Sequence, residues 1–278
     1  MDLACRLCGA ATQPFHTQAG RRKYYLCPSC RFILLDPALH PTLAAQKERY
    51  LQHQNSPDHP GYVAMFRQFL GDCVTPYVRT GCRALDLGCG PSPVLAGLLK
   101  EAGHPTEIYD PIFFPEEPRG TFGLVTCTEV LEHLGDPVAV LRPWVGHLSN
   151  GPSPAIGDKP MATNGSSRIE APSEGKAPKG DPGQAGGQVL VVPSQGADRM
   201  GGTKPGSARL EPGGILAGLT LFHPDDPVKF SEWSYPRDFT HVSFYTAHTL
   251  EVLAKALGLS LVFTDGKRGF VMKASGEG

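Results

Sequence analysis

The run "RALDLGCGPSPVLAGLLK" at residues 83–100 constrains the fold more than any other stretch of the chain. A short apolar segment ends near Asp86, Gly88 and Gly90 follow, and helix-like sequence starts near Pro93. Strand, tight turn and helix in that order open a βαβ unit, which implies a parallel sheet. Glycine at both turn positions lets the backbone reverse sharply and come close to a ligand. A dinucleotide fingerprint would need a third glycine where Pro93 stands, which argues against NAD. Further short apolar runs alternate with helix-like segments downstream, in "TEIYD", "FGLVTC" and "VAVLRPWVGHL". The expected fold class is therefore α/β.

The alternation then stops. Glycine and proline make up 23 of the 64 residues at 151–214, above the roughly 25–30% that marks low-complexity sequence. Few bulky apolar side chains are present there to offset the entropy of ordering. Residues 150–210 therefore read as a low-complexity insertion. Two segments compete to be the next strand, "QVLVVPS" at 188–194 and the apolar run at 215–221. The second is preferred, because "PGG" just before it is a strong turn signal. A helix over "TAHTLEVLAKALG" follows, then strands over "LSLVFTD" and "GFVMKA". Their short connection predicts an antiparallel pair at the sheet edge.

The N-terminal 40 residues have a different character. Cys5 and Cys8 form one CxxC pair, Cys27 and Cys30 another, with eighteen residues between the pairs. Two such turns complete a tetrahedron of thiolates, the pattern of a closed structural Zn2+ site. "GRRKYYL" between the pairs reads as a hairpin arm. Residues 41–82 carry apolar positions at helical spacing, as in "GYVAMFRQFLGDCVTPYV". The expected organisation is a zinc-ribbon-like module at 1–40, a helical connector at 41–82 and an α/β domain at 83–278.

The D-x-G-x-G turn resembles motif I of class I S-adenosylmethionine-dependent methyltransferases. In that family the glycines make room for the methionine part of the cofactor, and the aspartate helps to hold its amino end. The resemblance thus assigns Asp86, Gly88 and Gly90 to cofactor binding. Asp110, twenty residues after Gly90, closes "TEIYD" where the family's acid accepts hydrogen bonds from both ribose hydroxyls. A carboxylate suits a vicinal diol because it offers two acceptor oxygens. "FGLVTCTEVLEHL" looks like the family's fourth strand and the helix after it, where an E-x-x-E-H run is frequent. That puts Glu129 at the carboxyl edge of the sheet, where ligands bind in open α/β folds, and makes it a cofactor-site candidate. The likeness covers residues 83–148 and 212–274 and implies a Rossmann-like methyltransferase sheet with the zinc module in front. It departs in one place. Only eleven residues separate Asp110 from Phe122, too few for the usual third strand and its helix, so a direct crossing is expected.

The segment "WSYPRDFTHVSFY" at 233–245 follows the preferred fifth strand and is placed to cover an acceptor pocket. Trp233, Tyr235, Arg237, Asp238 and Tyr245 are the expected acceptor contacts. His241 is the expected base and His133 the second candidate, since an unperturbed imidazole titrates near pH 6.5. The leading reading is methyl transfer to a small or carrier-linked metabolite. An alternative is an RNA methyltransferase whose Arg21, Arg22, Lys23, Tyr24 and Tyr25 meet nucleic acid. The net charge of −1 weakens it. A third reading is a cofactor-binding interaction protein without turnover. No apolar run approaches the roughly 18 residues of a membrane span, and the N-terminus lacks a signal-peptide plan. A cytoplasmic location, with reduced or metal-bound cysteines, is therefore expected.

Overall fold

The computed structural model describes residues 3–18, 22–52, 55–145 and 209–275. The competing strand at 188–194 and nearly all of the low-complexity stretch lie outside them. In chain order the elements are β1 (Gln13–Gln18), β2 (Arg22–Leu26), β3 (Ile33–Leu35), α1 (Leu43–Leu51), α2 (Pro60–Phe69), β4 (Ala84–Leu87), α3 (Val94–Glu101) and β5 (Thr106–Tyr109). They continue with β6 (Thr121–Thr128), α4 (Pro137–Val145), β7 (Arg209–Leu219), α5 (Pro227–Glu232), β8 (Ser243–Phe244), α6 (Ala247–Ala256), β9 (Leu259–Thr264) and β10 (Gly269–Ala274).

Six strands form the main sheet in the order β5-β4-β6-β7-β10-β9. The pairs β4–β5, β4–β6 and β6–β7 are parallel, while β10 runs antiparallel to both β7 and β9. This is a Rossmann-like sheet with no strand beyond β5 among the described residues, and the chain crosses directly from Asp110 to Thr121. The central strands are buried on both faces, as parallel strands under two helical layers must be. Period-two alternation sorts their side chains. Ala84, Leu124, Ile215 and Ala217 pack with α2 and α3. Leu85, Val125, Leu216 and Met272 face α4 and α6.

β7 is the strand expected at 215–221, but it starts earlier and ends at Leu219. The "PGG" signal lies inside it, where the β6–β7 register shifts at Phe122/Leu124 and Gly213 takes a φ of 74°. The turn residues thus form a bulge in the strand rather than its start. Gly218 allows a close approach: a Cβ there would lie 2.4 Å from the Cys127 carbonyl oxygen and 2.5 Å from the Phe270 ring.

The N-terminal hairpin β1–β2 forms as expected, and β3 extends it. β3 then pairs antiparallel with β8, through Ile33↔Phe244 and Leu34↔Ser243. The small sheet therefore ends on a strand from the 233–245 segment. Tyr24, Ile33 and Leu35 share a core with Phe230, Tyr235 and Phe244, while Phe32 and Leu34 join the main core.

Candidate active site

Three groups of chemistry-bearing side chains can be built up from these elements. The first stands at the carboxyl ends of β4 and β5. Gly88 and Gly90 take φ values of 75° and 64°, in the left-handed region that glycine enters without strain. The turn is stitched to the next strand by the Gly88 N–H, which donates to the Tyr109 carbonyl at 2.8 Å. Asp86 is fully buried. Its Oδ1 accepts from the Thr126 hydroxyl at 2.9 Å, while its Oδ2 has no hydrogen-bond partner. Burial pushes its carboxyl up to about 7, against the opposing pull of the Thr126 bond. An orphaned acceptor beside a glycine turn suits the cationic amino end of an amino-acid-like ligand.

Asp110 is engaged by its own backbone surroundings. It too is fully buried, and its carboxylate already accepts three backbone N–H groups: Gly90 at 3.1 Å, Ile112 at 2.8 Å and Phe113 at 3.0 Å. Burial raises its pKa, and those three bonds oppose the rise. In this state it ties the glycine turn to the loop after β5 rather than presenting two open acceptors.

The second group lies past the end of β6. Glu129 follows the strand with a φ of 52°, uncommon for a residue bearing a Cβ. The chain then makes a 3-10 turn at Leu131–His133, and α4 does not begin until Pro137. His133 is thus not in the helix expected after the strand. The turn buries Glu132 and His133 together. The Tyr235 hydroxyl is shared between Glu132 Oε1 at 2.5 Å and Glu129 Oε2 at 3.2 Å. Glu132 Oε2 has no partner. Burial pushes Glu132 up to about 8, with the Glu129 charge adding to the rise, and burial also raises Glu129. His133 Nδ1 lies 3.0 Å from the Thr240 carbonyl, so it carries the proton and leaves the Nε2 lone pair unpartnered. Burial, with His241 second, lowers His133 to about 4. His241 Nδ1 is 2.8 Å from the Tyr235 carbonyl, which places its lone pair on Nε2 in the same way. The two imidazole rings are 4.8 Å apart.

Only Tyr235 of the expected acceptor contacts meets these carboxylates. Trp233 stacks behind it at 4.9 Å and packs on Phe244. Asp238 pairs with Arg49 of α1 and accepts from the Thr240 N–H and hydroxyl, so it shapes its own loop. Arg237 is exposed. Tyr245 is core: it is fully buried, with its ring against Phe32 and its hydroxyl donating to the Leu131 carbonyl. Sequence reasoning passed over Glu132, although it stands inside the E-x-x-E-H run. It also missed Tyr50 of α1, whose hydroxyl lies 3.4 Å from His133 Nδ1.

The Arg22 guanidinium donates to the carbonyls of Pro236, Asp238, Phe239 and His241. Tyr24 is buried. These two members of the expected RNA-contacting set are turned toward the 233–245 segment, and Arg21 lies outside the described residues.

The third group is the cysteine cluster. The four Sγ atoms lie within 4.8 Å of one another. Cys5–Cys30 and Cys8–Cys27 are each 3.5 Å apart, close to the roughly 3.8 Å edge of a tetrahedron with 2.3 Å Zn–S bonds. The hydrogen bond from Cys30 lowers Cys5 to about 5 and pushes Cys30 far up, while burial raises Cys8 to about 11. Four thiolates this close together would need a cation between them.

Residues 40–150 match a family model described as a methyltransferase domain, a span that includes Asp86, Gly88, Gly90, Asp110, Glu129, Glu132 and His133. No curated protein matches the chain. Among solved structures, a Burkholderia thailandensis 1,6-didemethyltoxoflavin-N1-methyltransferase with bound S-adenosylhomocysteine aligns at 10% identity and a TM-score of 0.36, covering 92% of this chain and 97% of that one. A protein from Bordetella parapertussis described as a possible exported protein aligns at 14% identity and a TM-score of 0.38, covering 85% and 80%. At such scores these two alignments carry no functional argument. No helix among the described residues is long and apolar enough to cross a membrane.

Proposed function

We propose that this chain is an S-adenosylmethionine-dependent methyltransferase acting on a small or carrier-linked acceptor. The observation that carries the reading is the unpartnered, fully buried Asp86 Oδ2 beside the Gly88–Gly90 turn, within the span that matches a methyltransferase domain. A buried carboxylate oxygen without a donor is costly, and a ligand ammonium group relieves that cost. When bound, S-adenosylmethionine supplies an electrophilic methyl group on a sulfonium. Asp86 would hold its amino end, and the two glycines leave room for its amino-acid part. Asp110 keeps the turn in shape through the Gly90 N–H.

The acceptor side falls to the groups past β6. Tyr235, Glu129 and Glu132 form a buried polar surface for orienting a hydroxyl, amine or enol. His241 stands with its lone pair on Nε2, and His133 beside it is a weak base because burial lowers it to about 4. A structural Zn2+ on Cys5, Cys8, Cys27 and Cys30 would hold the N-terminal module against the 233–245 segment. The inward turn of Arg22 and Tyr24 favours a metabolite over RNA.

Calorimetry with S-adenosylmethionine and S-adenosylhomocysteine tests the cofactor half. Binding of both is expected, with Asp86→Asn weakened about ten- to a hundredfold for loss of a charged hydrogen bond. No binding to the folded wild-type chain would end the proposal. Methyl labelling of fractionated extract tests the acceptor half, with label expected in the small-molecule or carrier fraction and not in RNA.

A further inference from the structure

We propose that Glu132, His133 and His241 form a binding site for a divalent first-row transition-metal ion, separate from the four-cysteine cluster. One ligand atom from each of the three residues lies within 4.8 Å of the others, and all three residues are buried. Two of those residues hold unpartnered polar atoms in the interior, Glu132 Oε2 and His133 Nε2. Interiors seldom leave one such atom unsatisfied, let alone two acceptors from adjacent residues. A single cation answers both, because a carboxylate oxygen and an imidazole lone pair are each metal ligands.

The surroundings fit the same conclusion. Metal-bound imidazoles usually donate their second ring N–H to a carbonyl or carboxylate, which fixes the tautomer and the ring. His133 Nδ1 faces the Thr240 carbonyl at 3.0 Å and His241 Nδ1 faces the Tyr235 carbonyl at 2.8 Å. Glu132 is held through its other oxygen by the Tyr235 hydroxyl. Each ligand is thus oriented by a group that does not compete for the metal. The strained backbone at Glu129, φ 52°, presents a second carboxylate to the same tyrosine.

Donor chemistry narrows the ion. Two imidazole nitrogens and one carboxylate suit Zn2+, Mn2+, Fe2+, Co2+ or Ni2+, whereas Mg2+ and Ca2+ favour all-oxygen shells. Three protein ligands leave coordination positions open, the pattern of a reactive rather than a purely structural site. Resting on the methyl-transfer reading, the ion would take an acceptor oxygen in an open position and make its hydroxyl more acidic, and Glu129, outside the three ligands and on the same Tyr235 hydroxyl, would take the released proton. The acceptor class is then an alcohol, phenol or enol.

Cobalt loading of the full-length, metal-stripped chain tests the site. Two equivalents are expected. One gives intense sulfur-to-cobalt charge-transfer bands from the cysteine cluster, and the other gives only weak ligand-field bands from nitrogen and oxygen donors. Glu132→Gln, His133→Ala and His241→Ala should each weaken the second equivalent at least about tenfold. Each should keep the charge-transfer bands, which report a folded module. Manganese binding to the wild-type chain, read by electron paramagnetic resonance, needs no variant and should give one bound ion per chain. A wild-type chain with only the thiolate equivalent and no bound manganese would overturn the site, as would a second equivalent that survives all three substitutions. Cofactor calorimetry on the same samples separates the two readings: a second equivalent without cofactor binding sinks methyl transfer and leaves the metal site standing.

Discussion

The four cysteines and the Glu132–His133–His241 cluster both gather ligand-type side chains, by opposite routes. The cysteines come from two CxxC turns within thirty residues of chain, each turn directing two sulfurs at one point. The second cluster joins a 3-10 turn after β6 to a residue more than a hundred positions later, with Tyr50 of the helical connector beside them. Local assembly leaves a spacing pattern in the sequence, whereas assembly across the fold does not. The two clusters are also mechanically linked. β3 follows the second CxxC turn and pairs with β8, which begins two residues after His241.

That link makes the cysteine cluster the place where the largest effect is expected. Cys27→Ser should remove a metal ligand and loosen β3, and with it the strand next to His241. Because Phe32 and Leu34 also sit in the main core, the loss should reach several kcal/mol, on the order of 10 °C in Tm. Thermal unfolding with and without chelator measures it. A variant that unfolds like wild type would show that no metal holds the module and that the two regions are independent.

Arg22→Ala comes next and acts on the joint alone. One guanidinium serves four carbonyls between Pro236 and His241, and its removal strands acceptors in a partly buried loop. A loss of about 2–3 kcal/mol is expected, read by denaturant unfolding. Arg22→Lys should recover only part of it, because an ammonium lacks the planar fork. Full recovery would mean that charge, rather than the geometry of the clamp, holds the loop.

The same contrast explains what was legible in the sequence. The order of strands and helices was readable because apolar runs of the right length sit between glycine and proline signals, and the zinc-type spacing was readable because it is local. The bulge at Gly213 was not, since "PGG" signals a turn whether it starts a strand or kinks one. Arg22 and Tyr24 read as a basic-aromatic surface because composition does not say which way a side chain points. Asp110 read as an open acceptor, while the three N–H groups that close it come from the turn and loop around it. Glu132 stood in plain view in E-x-x-E-H, but only the 3-10 turn brings it to Tyr235.

A smaller effect, with a definite sign, is expected at the glycine turn. Asp86 is raised from 3.8 to about 7 by burial. The folded chain without ligand therefore binds a proton that the unfolded chain has released between pH 4 and 7. Its stability should fall as pH rises through that window. Cofactor affinity should run the other way and rise with pH toward 7, because an ammonium group prefers the ionised carboxylate. Asp86→Asn should flatten both profiles. If the stability slope persists in the variant, another buried acid carries it, and Glu132 is the first to examine.

The smallest effect is expected at Arg237. It lies in the same segment as Tyr235 and His241, between residues held by the Arg22 clamp, yet its side chain is exposed. Asp238, its neighbour, is engaged by Arg49 and Thr240 and is not offered to it alone. Arg237→Ala should therefore change stability by no more than about 0.5 kcal/mol, the usual range for surface positions. Its effect on turnover separates two pictures of the segment. If the segment only builds a buried floor under the acceptor, kcat and KM should both stay unchanged. If the exposed rim also receives an anionic or carrier-linked part of the acceptor, KM should rise several-fold with kcat constant, as expected when uniform binding is lost. We expect the second result, because a freely placed guanidinium beside the loop is suited to a phosphate or carboxylate on the acceptor. An unchanged KM would confine recognition to Tyr235 and the buried groups around it.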